Sequence, residues 1–171
     1  MSYRILSFVF LSLLGALSVR AQVPSPITFE LGPRVGYDIG GDVEKTFVGA
    51  DARLGIMALP IDFQATFDYY FMEENTTFWQ LSLNALLSFG PGVLFTPYVG
   101  GGIGISRTSV SVDIPGFGDF GASDTDTGLN LVGGVRFGVG PLRPFVQAQV
   151  TMLGDVELVT VAGGLLFKFG P

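Results

Sequence analysis

The sequence contains neither cysteine nor histidine. Disulfide frameworks, thiolate or imidazole metal sites, and every catalytic arrangement pairing a nucleophile with a histidine are excluded together. Catalysis would have to rest on carboxylates alone, so no enzyme is expected, and neither a metal nor another cofactor. Charge is also scarce. Asp, Glu, Lys and Arg make up 14% of the 171 residues, and the 15 acids outnumber the 9 bases. The net charge of −6 offers no basic stripe to displace counterions, so no nucleic-acid partner is expected. A long apolar run is missing beyond residue 21: nothing there approaches the ~18 consecutive apolar residues of a membrane helix.

What is present fits neither a disordered chain nor a helical bundle. Hydrophobic residues reach 48% and glycines number 25, too apolar for the first and too glycine-rich for the second. The length allows one domain. At the start, Arg4 precedes an apolar run from Ile5 to Leu17, and Val19-Arg20-Ala21 sets small or modest residues where a peptidase cuts. Residues 1–21 therefore read as a signal peptide cleaved before Gln22, leaving 22–171 as the mature domain. No cysteine stands at the cut, which excludes a lipoprotein.

The remaining hydropathy has a period of two. From Phe29 the odd positions Phe29, Leu31, Pro33, Val35 and Tyr37 alternate with Glu30, Gly32, Arg34, Gly36 and Asp38. The same alternation runs from Val48 to Ile56, from Ile61 to Phe71, from Trp79 to Phe89 and from Leu129 to Phe137. Three weaker runs cover Tyr98–Ser106, Phe145–Met152 and Leu158–Phe169. Helical spacing would scatter these residues around a cylinder; alternation places them on two faces of a strand. Each strong run is about 10 to 12 residues long, the length needed to cross a bilayer at a tilt. The expected fold is an all-β, eight-stranded, antiparallel, up-and-down transmembrane β-barrel, with short turns at one end and longer polar segments at the other.

Pattern alone does not say which face is inside. The signal peptide, the apolar aromatic last strand and the aromatics at strand ends favour lipid outside. Phe29, Phe63, Phe89, Phe137, Phe167 and Phe169 are expected at the short-turn end, and Tyr37, Tyr69, Phe71 and Trp79 at the other.

Two segments carry a resemblance: Thr96-Pro-Tyr-Val-Gly-Gly-Gly-Ile-Gly-Ile105 and the terminal Gly163-Gly-Leu-Leu-Phe-Lys-Phe169. Over Thr28–Phe169 the chain resembles the OmpA/OmpX-like small outer-membrane barrels, the outer membrane protein beta-barrel domain proteins. The resemblance implies residence in the outer membrane with both termini periplasmic, contact with outer-membrane lipid and lipopolysaccharide, and insertion by the barrel-assembly machinery, for which the last strand looks like the signal. No cell-wall-binding domain is expected after that strand.

An eight-stranded barrel has room for little beyond its own inward side chains. Glu30, Arg34, Asp51, Arg53, Asp62, Arg136 and Lys168 are the expected polar network of the lumen, joined by Gln64, Asn84, Gln147 and Gln149. Arg34, Asp51 and Arg53 fall at one height, and Lys168, Glu30 and Asp62 lower. Such charges either pair into a plug that fixes register or filter ions in a narrow porin-like channel.

The outer loops read as acidic, with Asp38, Asp42, Glu44, Glu73, Glu74, Asp113, Asp119, Asp124, Asp126, Asp155 and Glu157. The segment 108–126 is expected to be the longest loop. Its apolar phase shifts near Arg107, which implies a bulge. Its tip carries Phe117, Asp119 and Phe120, candidate contacts for a surface partner. The expected role is structural or surface-interacting in the cell envelope, with the channel as the alternative.

Overall fold

The period-two pattern is realised as a closed sheet. In the computed structural model, which describes residues 27–169 apart from 41–42, 57–58, 73–75, 91–93, 115–117, 139 and 155, the strands are β1 (Ile27–Asp38), β2 (Thr46–Ile56), β3 (Ile61–Tyr70), β4 (Thr76–Ser88), β5 (Phe95–Ile114), β6 (Gly118–Phe137), β7 (Leu142–Leu153) and β8 (Val156–Phe169). The proposed signal peptide and Phe117 lie outside the described residues. Each strand pairs antiparallel with the next, and β1 pairs with β8 to close the barrel.

The register sets the barrel's width. One circuit of paired positions from Thr28 runs through Gly55, Asp62, Leu86, Gly100, Val132, Gln149 and Thr160 and returns to β1 at Asp38, ten residues further on. With about 3.3 Å per residue and about 4.8 Å between strands, that stagger tilts the strands by roughly 40° and gives a backbone radius of roughly 8 Å. Inward side chains from opposite walls therefore meet.

The two faces are sorted as lipid requires. Inward positions hold Glu30, Arg34, Asp51, Arg53, Gln64 and Gln147, all buried. Outward positions hold Leu31, Val35, Phe67, Leu83, Ile103 and Leu131, all exposed. A water-soluble barrel would show the reverse. The expected aromatic bands follow: Phe63, Phe89, Phe137, Phe167 and Phe169 face outward near the terminus end, and Tyr37, Tyr69 and Phe71 near the other. Phe29 packs against Phe169 at 6.0 Å, and Trp79 lies 5.9 Å from Phe67.

Three expectations are corrected. The asymmetry between ends does not lie in connector length. Residues 57–60, 89–94 and 138–141 join strands at the terminus end, and 39–45, 71–75, 115–117 and 154–155 at the far end. The last of these is a two-residue turn in which Gly154 takes φ 59°, the left-handed backbone that glycine tolerates. The asymmetry comes instead from β5 and β6, of 20 residues each, so 108–126 is mostly paired hairpin rather than loop. Nor is there a bulge near Arg107: pairing runs unbroken from Phe95↔Phe137 to Ile114↔Gly118. The apolar phase lapses because an outward residue beyond the lipid no longer needs to be apolar, while the backbone ladder continues. Finally, Asp38 is not a solvated loop acid. It is fully buried, and its carboxylate accepts the backbone N–H of Val43 at 3.2 Å, Glu44 at 2.9 Å and Val159 at 2.9 Å, tying the first far-end connection to β8.

Inward glycines make room for bulky neighbours. A Cβ at Gly134 would fall on the Tyr98 ring and the Val146 carbonyl, whereas Gly133, one residue back and on the outer face, has open space. Gly134→Ala is expected to cost about 1–3 kcal/mol of stability through overpacking, with Gly133→Ala near neutral. Urea unfolding of the refolded protein in lipid vesicles checks the pair.

Candidate functional site

The barrel interior gathers most of the chain's buried polarity, because alternation turns every second residue of each strand toward the axis. At mid-height Arg53 of β2 is the hub. Its Nε and Nη2 donate to the two oxygens of Asp51 at 3.1 and 3.0 Å. Nη2 also donates to the Tyr98 hydroxyl at 3.1 Å. The guanidinium lies between two rings, 4.8 Å from the centroid of Tyr98 and 4.6 Å from that of Phe145. A planar cation fits such a slot, since it stacks on aromatic faces while its edge donates hydrogen bonds.

From this hub a chain of amides crosses the lumen. Gln64 Nε2 donates to Asp51 at 2.6 Å and to Gln147 Oε1 at 2.9 Å. Asn84 donates to Gln64 at 3.1 Å, and Asn130 donates to Asn84 at 2.9 Å. The Tyr98 hydroxyl donates to Gln147 at 3.1 Å. Strands β2 to β7 are thus connected through side chains as well as through the sheet.

Two further charge groups flank the hub. Toward the far end, Arg34 Nε lies 3.1 Å from Asp68 Oδ1, and its Nη1 lies 3.9 Å from Asp51. Toward the terminus end, Arg136 Nη1 reaches Glu30 at 3.0 Å and Asp62 at 3.2 Å, and Arg143 Nε reaches Glu30 at 3.2 Å. Lys168 stands opposite Glu30 in the β1–β8 register. An apolar layer lies beyond at the far end, of Phe47, Tyr70, Phe78, Leu153, Leu158 and Ala162, while Leu86, Tyr98 and Val132 pack together beside the hub, Leu86 standing opposite Asp62 in register.

The expected lumen residues therefore fall into two clusters rather than one network. Arg34, Asp51 and Arg53 meet around Asp68 and the amides; Glu30, Asp62 and Arg136 meet with Arg143. Sequence reasoning left out Asp68, Arg143, Tyr98 and Phe145. Asp68 shares the inward phase of Asp62 and Gln64 along β3. Tyr98 and Phe145 each follow a proline in two segments that echo one another, Thr96-Pro97-Tyr98-Val99 and Arg143-Pro144-Phe145-Val146. Each echo supplies one ring to Arg53. Of the far-end candidates, Asp119 and Phe120 lie in the paired backbone of the hairpin opposite Asp113 and Val112.

Comparison with known proteins agrees with the fold. The family model of the outer membrane protein beta-barrel domain matches residues 11–160. The chain belongs to that family. Membership in this outer-membrane barrel family places the protein in an outer membrane. Solved structures share its fold: the N-terminal barrel domain of Pseudomonas aeruginosa OprF has 16% identity and a TM-score of 0.61, covering 85% of this chain and 98% of that one. Neisserial surface protein A has 16% identity and a TM-score of 0.62, with coverage of 85% and 98%. Ail, the attachment invasion locus protein of Yersinia pestis, has 18% identity and a TM-score of 0.62, with coverage of 84% and 97%. Ail has also been solved with the heparin analogue sucrose octasulfate. No curated protein matches the sequence.

Proposed function

We propose that this member of the family is a closed, non-catalytic outer-membrane barrel that acts through the surface it presents rather than through passage along its axis. The observation that carries the reading is the setting of Arg53, whose buried guanidinium spans the lumen between rings from β5 and β7 while locked to Asp51 on β2. A residue so held is a plug and a register pin. The apolar layer at the far end of the polar zone supports the same reading, since water and ions must cross it too.

The orientation proposed has both termini in the periplasm and the β5–β6 hairpin outside the cell. Export begins with the signal peptide 1–21, and the last strand, ending Gly163–Phe169, is the segment presented to the barrel-assembly machinery. The apolar outer band faces phospholipid and lipopolysaccharide chains. In the hairpin Asp124 and Asp126, with Glu44 and Glu157, make the far end acidic.

The mature chain refolded in detergent is expected to migrate differently on a denaturing gel before and after heating, and to give no discrete current steps in planar bilayers. Steps in the wild type would overturn the plug and favour the narrow channel. In that case Arg34→Ala or Arg53→Ala would shift its ion selectivity.

A further inference from the structure

The side-chain charges at the terminus end do not cancel. Two acids, Glu30 and Asp62, stand among three bases: Arg136, which reaches both within 3.2 Å, Arg143, which reaches Glu30, and Lys168, opposite Glu30 in register. Glu30 therefore already serves two arginines, and Arg136 Nε is buried without an acceptor among the described residues. A surplus of positive charge in a partly buried mouth calls for an anion.

Beside this group lies a cavity of about 170 Å³ with two unlike sides. Thr28, Asp62, Ser88 and Arg136 line it toward the lumen, and Leu59 and Pro60 line it toward the connection from β2 to β3. Gly55 leaves room for the polar side, since a Cβ there would fall on the Asp62 carboxylate and the Thr28 hydroxyl. The space is well below the roughly 300–1,000 Å³ that encloses a whole small molecule. It holds a head the size of a phosphate, and whatever that head carries must leave along the apolar side.

The surroundings of that side select what is carried. The connections at this end, 57–60, 89–94 and 138–141, contain no charged, amide or hydroxyl side chain, although turns that meet water draw on Asn, Asp and Ser. Leu59, Leu94 and Phe95 are each more than half exposed. One exposed leucine means little, but a barrel end of apolar connections around a charged mouth matches hydrocarbon. These connections stand just past the phenylalanine band that marks the edge of the apolar zone.

We propose that the mouth at the terminus end binds one phospholipid of net negative charge, with its phosphate among Arg136, Arg143 and Lys168 and its acyl chains drawn out over Leu59 and Pro60 into the leaflet. One surplus cation suits one phosphodiester monoanion. A zwitterionic headgroup brings its own cation and gains less. The inference rests on the outer-membrane reading given above, and on the proposed orientation for the leaflet that supplies the lipid.

Native mass spectrometry of the full mature chain, refolded in an uncharged sugar detergent, reads the binding. One phosphatidylglycerol per barrel is expected, at a concentration about tenfold or more below that needed with phosphatidylcholine. The combined Arg143→Gln and Lys168→Gln variant should lose the preference. Leu59→Asp should lose it too, and because it touches none of the interior pairs it keeps the test open if the double variant does not fold. Equal retention of the two lipids, or a preference that Leu59→Asp leaves unchanged, would overturn the proposal. Full displacement by millimolar inorganic phosphate would also overturn it, making the ligand a free anion, and so would dimers in place of lipid adducts. Orientation is tested separately, in a chain without native cysteine. Labelling of Leu94→Cys on intact cells by a membrane-impermeant maleimide would overturn the periplasmic placing of this end and leave the lipid site standing.

Discussion

Arg53→Ala is expected to cost the folded barrel about 3–5 kcal/mol, the usual consequence of removing one partner of a buried ion pair. The loss has three parts. Asp51, with no exposed surface of its own, keeps its charge in the lumen with only Gln64 and the more distant Arg34 to answer it. Tyr98 and Phe145 lose the cation packed between them, and a void opens where the guanidinium lay. Unfolding by urea in lipid vesicles, followed through the single tryptophan, Trp79, measures the difference. Arg53→Lys should recover only part of it, because an ammonium has neither the planar fork that matches the carboxylate nor the flat face that stacks. The combined Arg53→Met and Asp51→Asn variant should be closer to wild type than Arg53→Ala, since no charge is then left buried alone. A loss under about 0.5 kcal/mol for Arg53→Ala, within the range of an ordinary surface substitution, would mean that the interior charges do not hold the barrel together.

How much of this could be read from the sequence follows from the range over which each interaction acts. The strands of β1 to β4 and the membrane part of β6 were legible because lipid outside and crowded polarity inside both enforce a period of two. The hairpin above residue 108 was not, because outside the lipid only the backbone ladder continues and side-chain pattern no longer reports it. The inward set of charges was legible from phase, as with Glu30, Arg34 and Asp51. Their partners were not. Which residues meet across the lumen depends on the ten-residue stagger at closure, and that is a property of all eight registers together. Arg53 therefore finds Tyr98 and Phe145, and Gln64 finds Gln147, with no adjacent-strand register joining them. Asp38 misled for a simpler reason: it ends a strand at a polar stretch, which in sequence looks like solvent, yet three backbone N–H groups converge on it.

Arginine placed at two outward positions of β6 is expected to have opposite consequences. Leu131 is 62% exposed and lies six residues beyond Phe137, roughly 15 Å up the barrel axis at about 3.3 Å per residue and a roughly 40° tilt. That puts it near the middle of an apolar band about 25 Å tall, where arginine costs about 2–4 kcal/mol. Gly121 shares its phase but lies sixteen residues beyond Phe137, roughly 40 Å by the same geometry and well past the band. A Cβ there meets nothing closer than the Val110 carbonyl at 3.8 Å, so Gly121→Arg should change stability by less than about 1 kcal/mol, the scale of a surface substitution. The same urea titration in vesicles compares Leu131→Arg with Gly121→Arg. Equal and small effects would mean that the apolar exterior does not face lipid. Equal and large effects would mean that the hairpin is not free of the membrane. Only a steep difference between two positions on one face of one strand fits both the lipid band and a hairpin that projects beyond it.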